Sequence, residues 1–311
     1  MSRRFLHPTI AIAATTLTGL IVAACNTVPT ADRAPRADAD VSATGVPGVH
    51  RQYGAPQRLG NARARTYVVI DQKNGGVPLE VGVAFDENAL EGLPAPNPNH
   101  TPTPGGHEHV DSHIYDLAMP AQNPTPYKFL ELDWNPQGHE LPGIYDVPHF
   151  DFHFYTITPA ERNAIDPADP QFQQRADRLP AAEFQSPFYS TLTPPGVPTP
   201  AVPRMGVHWI DVRSPEIQGP LGHPENARPF TTTFIRGSWD GRFIFEEPMI
   251  TRAFILGRKT AATAAQRDSL IPLPAAAKYL PAGYYPAAYR IMYDAQAKEY
   301  RIALTQLTRR D

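Results

Sequence analysis

The sequence predicts a β-rich α+β fold: an antiparallel β-barrel or sandwich built of hairpins, with a few short helices in the connections. Three observations carry this. Proline occupies 36 of 311 positions, and each one fixes φ and removes a backbone donor, which disfavours long helices. Hydrophobic residues make up 41% and aromatics 10% of the chain, enough to build a core. Short β-branched and aromatic runs repeatedly flank clusters of Gly, Asn and Asp, which is the pattern of hairpins. A formal net charge of −3 offers no basic face, so nucleic acid is not an expected partner.

The N-terminus reads as an export signal. Arg3 and Arg4 precede an uncharged apolar run over residues 9–23, which ends in Val22-Ala23-Ala24-Cys25. Small residues before a cleavage site mark a secretory signal peptide. The cysteine after them resembles a bacterial lipobox. That resemblance implies removal of residues 1–24, lipidation of Cys25 and anchoring to a membrane facing the periplasm. Asn26, in place of an aspartate, favours the outer membrane. Cys25 is the single cysteine, so no disulfide is available to the fold. Residues 25–60 are rich in Ala, Asp, Pro, Thr and Arg without hydrophobic periodicity and read as a disordered tether. A single β-rich domain is expected over 61–311.

Within it, residues 65–70 (RTYVVI) and 77–85 flank the turn cluster DQKNGG, a hairpin. Residues 87–93 read as a helical turn and 94–106 as a proline-rich loop. Strands are expected at 112–118, 128–134, 149–155 and 205–211. Thr158-Pro-Ala-Glu161 is a capping box with proline at the first helical position, opening a helix through Ile165. Another short helix is expected near 171–178, within a proline-punctuated segment. Residues 230–236 and 242–246 flank GSWDG (237–241) as a hairpin, continued by 249–256 as a meander. The alanine-rich stretch 259–270 is expected to be helical. A last hairpin joins 287–293 to 300–308.

HFDFHFY, residues 149–155, carries the candidate chemistry. Residues two apart on a strand share a face. His149, Asp151, His153 and Tyr155 therefore line one side, and Phe150, Phe152 and Phe154 the other, which must be buried. Two imidazoles and a carboxylate suit zinc, iron or manganese. Cα atoms four residues apart on a strand are roughly 13 Å apart, so a His-X-Asp pair can chelate one ion but a regular strand cannot bring all three to it. Further ligands must come from elsewhere: His139 in the preceding turn, His208 on a separate strand, and Glu247 at the end of RFIFEEP. Three readings stay open. The face binds a divalent metal or small ligand; it serves a metal-dependent enzyme, a cupin-like oxygenase or hydrolase; or it is a structural histidine layer in a non-catalytic envelope-stress or assembly protein. Gly143 and His149, with five residues between them, echo the start of a cupin motif, but the following His-X-His and downstream glutamate are unmatched. His107, His109 and His113 form a second cluster after the proline–glycine loop, read as a solvated segment. The sequence has no Gly-X-Ser-X-Gly elbow, P-loop or dinucleotide fingerprint.

Several segments together, Trp134-Asn-Pro-Gln-Gly-His139, Gly143 through Tyr155, Met205-Gly-Val-His208, Gly237–Gly241 and Phe245-Glu-Glu-Pro-Met-Ile250, resemble an uncharacterised family of exported bacterial proteins typified by a Thermus protein under sigma-E control. The likeness runs over about residues 63–308. It implies a mixed β-rich fold that forms homo-oligomers, and no established reaction.

Overall fold

The computed structural model describes residues 42–43, 45–96 and 112–311. The signal peptide, Cys25, His107 and His109 lie outside the described residues. Among the described residues, seventeen strands, numbered along the chain, form three antiparallel sheets. The first has the order β1 (Ser42–Ala43), β2 (Val49–Tyr53), β4 (Ala62–Asp71), β5 (Val77–Asp86), β16 (Glu299–Thr305), β15 (Ala288–Asp294) and β13 (Asp268–Pro272), with β3 (Gln57–Leu59) also paired to β4. The second runs β6 (His113–Ala118), β7 (Phe129–Asn135), β8 (His149–Tyr155), β12 (Arg242–Thr251), β11 (Thr232–Trp239), β10 (Val207–Asp211) and β9 (Tyr189–Ser190). The third pairs β14 (Gly283–Tyr285) with β17 (Thr308–Arg310).

Neither large sheet closes on itself among the described residues, so the barrel alternative gives way to a sandwich. The reason lies in the alternation along β8. Phe150, Phe152 and Phe154 share one core cluster with Val81, Val83 and Phe85 of the first sheet. Phe85 stacks on Phe150 and Phe152 at ring-centroid distances of 6.5 and 6.2 Å. Leu130, Leu132 and Trp134 of β7 join the same cluster. Each such side chain, fully buried, contributes about 1.5–3 kcal/mol. The phenylalanine face is thus the inner face, and the His/Asp/His face is the outer one.

Four sequence expectations need correction. The tether does not extend to residue 60: His50 to Tyr53 of β2 pair with Tyr67 to Ile70 of β4, and β3 pairs with the start of β4. Backbone hydrogen bonds to an existing strand order a segment that lacks hydrophobic periodicity of its own. GSWDG is not all turn. β11 continues through Trp239, and the reversal is Asp240-Gly241, both with positive φ (51° and 84°), as a two-residue hairpin turn requires. The meander expected at 249–256 stops at Thr251, whose hydroxyl accepts a hydrogen bond from the Phe254 amide at 3.2 Å. That N-cap opens helix α3 (Arg252–Thr260). Finally, 259–270 is not one helix: α3 ends at Thr260, a single 3-10 turn follows at Ala265–Arg267, and β13 begins at Asp268, where pairing with β15 outweighs local alanine propensity. The other two helices, α1 (Pro159–Asn163, with the capping box formed) and α2 (Phe172–Ala176), fall where the sequence predicts them.

Candidate metal centre

The outer face of the second sheet is polar yet buried. Strand β7 runs Phe-Leu-Glu-Leu-Asp-Trp-Asn and pairs with β8 so that Glu131 faces His153, Asp133 faces Asp151 and Asn135 faces His149. All six are 0–1% exposed. On the far side of β8, Phe245, Glu247 and Met249 of β12 lie on the same face, since Phe245 pairs with Tyr155 and Met249 with Asp151. His208 reaches it from β10, opposite Gly237 of β11. A bulge at Gly237/Ser238 turns Phe243 to the other side, against Trp209 (5.4 Å). Glu247 therefore shares its face with Phe245 and not with Phe243.

The six candidate residues separate into two groups, each of two histidines and one carboxylate, and each with its ligand atoms within 4.8 Å of one another. In the first, His139 Nε2 lies 3.1 Å from Asp151 Oδ2 and 3.0 Å from His149 Nε2, which is 3.2 Å from Asp151 Oδ1. The Nδ1 atom of His139 is 2.7 Å from the Glu140 carbonyl, and that of His149 is 2.7 Å from the Val147 carbonyl. A carbonyl only accepts, so both Nδ1 atoms carry their protons. Each neutral ring then presents an Nε2 lone pair, and the two lone pairs point at each other beside a carboxylate. Either a proton or a metal ion must sit there. Backbone acceptors behind ligand imidazoles are the usual means of fixing this tautomer for metal binding. Donors about 2.0–2.1 Å from one tetrahedral ion stand roughly 3.3 Å apart, close to the spacings found. Asn135 Nδ2 donates to Asp151 Oδ2 at 2.7 Å. Burial alone would raise the Asp151 carboxyl, but His149 and His139 outweigh it and hold it well below its usual range. For His139, burial pulls down while Asp151 and Glu140 pull up, and the net result lies above the ordinary imidazole value.

The second group has no such balance. His153 Nε2 is 3.5 Å from Glu247 Oε1, and His208 Nε2 is 3.9 Å from Glu247 Oε2. Asp133 Oδ2 lies 3.9 Å behind His153 Nδ1. Both ring nitrogens of His153 and both oxygens of Glu247 and Asp133 are buried without a hydrogen-bond partner in the protein. Burial pushes His153 down to about 3. It raises Glu247 well above the carboxylate range, with Asp151 and Asp133 adding to it. Asp133 is raised likewise, by burial and then by Asp151. Glu131, the other acid near His153, is ion-paired with buried Arg162.

These groups border a cavity of about 320 Å³. His139, His208, Glu247 and Met249 form its sheet side, and Leu192, Pro194, Val197 and Val202 of the proline-rich segment face them. His208, with 23% of its side chain exposed, is the group member most open to it. The buried His, Asp and Glu groups could hold a metal ion. Asp133 is the partner that the sequence reading overlooked. Its signal was present in Glu131-Leu-Asp133-Trp-Asn135, a polar alternation in register with the one in β8. His113, from the second histidine cluster, sits on edge strand β6 opposite Trp134, away from both groups.

The fold and site define an antiparallel β-sandwich with a buried His/carboxylate face opening on a cavity. Residues 74–134 match the model of a family described as TTHB210-like, hypothetical protein TTHB210. This stretch spans β5 to β7, adjoining the β8 motif, and supports the resemblance to an uncharacterised Thermus-type family. No curated protein and no solved structure matches the chain.

Proposed function

We propose that the chain is an exported, lipid-anchored envelope protein that binds a divalent metal ion through His139, His149 and Asp151. The observation that carries the metal reading is the pair of Nε2 atoms 3.0 Å apart on rings whose Nδ1 atoms are committed to carbonyls. Two imidazoles and a carboxylate suit zinc, iron or manganese. The anchor rests on the apolar run ending at Cys25. The test is one preparation with two readouts. Wild-type, Cys25→Ala and His139→Gln/His149→Gln chains are fractionated, and the protein is analysed for metal before and after soaking in Zn²⁺. Wild type is expected in the membrane fraction with at least one equivalent of metal. Cys25→Ala should be released from the membrane, and the double histidine variant should lose an equivalent. Wild type that neither carries nor gains metal would sink the metal reading; Cys25→Ala still in the membrane fraction would sink the anchor.

A second reading has the cavity in its favour. Three protein ligands leave coordination positions for water or substrate, as catalytic metal sites require, and Glu247, His208 and His139 border an apolar space of small-molecule size. A metal-dependent hydrolase or oxygenase is the activity such a site would support.

A further inference from the structure

We propose that His153, His208 and Glu247 form a second divalent-cation seat, separate from that of His139, His149 and Asp151, and that the ion held there is the one accessible from the cavity. This rests on the reading that the outer face of the sheet binds metal, but the two seats are loaded by different residues and can be tested apart.

The first ground is polar satisfaction. Leaving a buried donor or acceptor unsatisfied costs about 1–3 kcal/mol, and more for a charged group. His153 and Glu247 carry four such atoms between them at 0% and 1% exposure, with Nε2 of the one facing the carboxylate of the other. No rearrangement of protons supplies a good hydrogen bond, because 3.5 Å from His153 to Glu247 and 3.9 Å from His208 to Glu247 exceed its usual range. The same separations are close to those of two donors sharing an ion, roughly 3.3 Å for a tetrahedral site.

The second ground is the support behind the donors. Asp133 stands on the Nδ1 side of His153, at 3.9 Å and so beyond a direct hydrogen bond, and leaves Nε2 toward Glu247. A carboxylate behind an imidazole ligand is the common arrangement at metal sites, where it fixes the ring and its tautomer. The Phe245 ring packs edge-on against His153 (4.9 Å) and against His208 (5.5 Å), so one side chain orients both histidines. It lies where a Cβ at position 237 would be: an added methyl there would come within 1.9 Å of the ring. Glycine at that position is what allows this packing.

The third ground is access. Glu247 and His208, two of the three ligands of this seat, border the cavity, whereas His139 alone of the first seat does, and its partners His149 and Asp151 are 0% exposed. Two imidazoles and one carboxylate leave coordination positions open, and at this seat they face the cavity. A small anion or a metal-binding head group on an apolar body can fill them.

The experiment is a Co²⁺ titration of the EDTA-treated protein, followed by visible absorption and by elemental analysis after desalting. Two equivalents are expected for wild type. One is expected for Glu247→Gln, and one for His139→Gln/His149→Gln. Azide, a small anion, should shift the Co²⁺ bands of wild type and of the double histidine variant, and leave those of Glu247→Gln unchanged. His208→Gln, at the more exposed position, serves as the second variant if Glu247→Gln does not fold. A wild type with one equivalent, kept in Glu247→Gln and lost in the double variant, overturns the second seat and leaves the first standing. The reverse pattern keeps the second seat and removes the first. An azide shift retained in Glu247→Gln overturns the assignment of the accessible ion.

Discussion

Glu247 and His153 face each other, both buried on the sheet's outer face, without a good hydrogen bond between them. In a protein selected for stability alone, a pair of apolar side chains would serve better, since replacing buried ionisable groups with well-packed hydrophobes is often neutral or stabilising. Glu247→Met is therefore expected to raise the stability of the metal-free protein by about 1–3 kcal/mol while abolishing stabilisation by metal at that seat. Denaturant unfolding with and without EDTA measures both. A loss of stability in the metal-free protein would mean that Glu247 is held by its protein neighbours and not kept for an ion. Cys25 and the six candidate ligands were legible as residue types, but their grouping was not. The spacing along β8 told that Asp151 and one flanking histidine could act as a pair and that the other histidine needed other partners. It could not tell that those partners were Glu247 and His208, which come from strands about 94 and 55 residues away in sequence, because cross-strand neighbours are set by pairing order.

At the scale of elements, β8, β11 and β12 act together. The pairing of Gly237 with Phe245, and the bulge that follows it, give Phe245 its place beside both histidines. Gly237→Ala is expected to cost about 1–3 kcal/mol through overpacking and to weaken Co²⁺ binding at the His153/His208/Glu247 seat more than at the other. Thermal melts and the same absorption titration check it, and an unchanged second transition would show that Phe245 does not set the seat. The elements that the sequence located well are those with strong local signals: the β-branched and aromatic run of β4, the alternation in β5 and β8, and the capping box of α1. Those it missed or misplaced are ordered by partners. β2, β3 and β13 are strands because a neighbour offers free backbone groups, and α3 starts at Arg252 because Thr251 caps it. A proline-free apolar run such as MITRAFIL fits strand or helix equally well by periodicity.

For the whole molecule, the charge pattern of the face predicts how metal and pH combine. His153 titrates at about 3 in the folded chain, below its ordinary value of about 6.5. The folded state then binds fewer protons than the unfolded state between these limits, so stability falls as pH drops through that window. Glu247 and Asp133 are shifted upward. There the folded state holds more protons, so stability of the metal-free protein falls as pH rises through the raised values. A bound dication favours the ionised carboxylates and removes this second loss, and it competes with the proton favoured at His139. The rise in Tm on adding Zn²⁺ should accordingly be larger at pH 8 than at pH 6. An equal or reversed dependence would count against metal ligation by these carboxylates.

By itself, the sequence determined the β-rich class, the phenylalanine-inside orientation of β8 and the presence of one polar face rich in metal-binding side chains. These follow from local alternation, proline content and turn chemistry, which a single strand or hairpin already contains. Only the tertiary structure decided that the sheets form a sandwich, that the polar face is its outer face, and that the histidines divide into two groups beneath a cavity. Those outcomes depend on which strands pair across long stretches of chain and on which loop covers the face. Burial then turns an ordinary row of polar residues into one whose unsatisfied atoms could hold an ion.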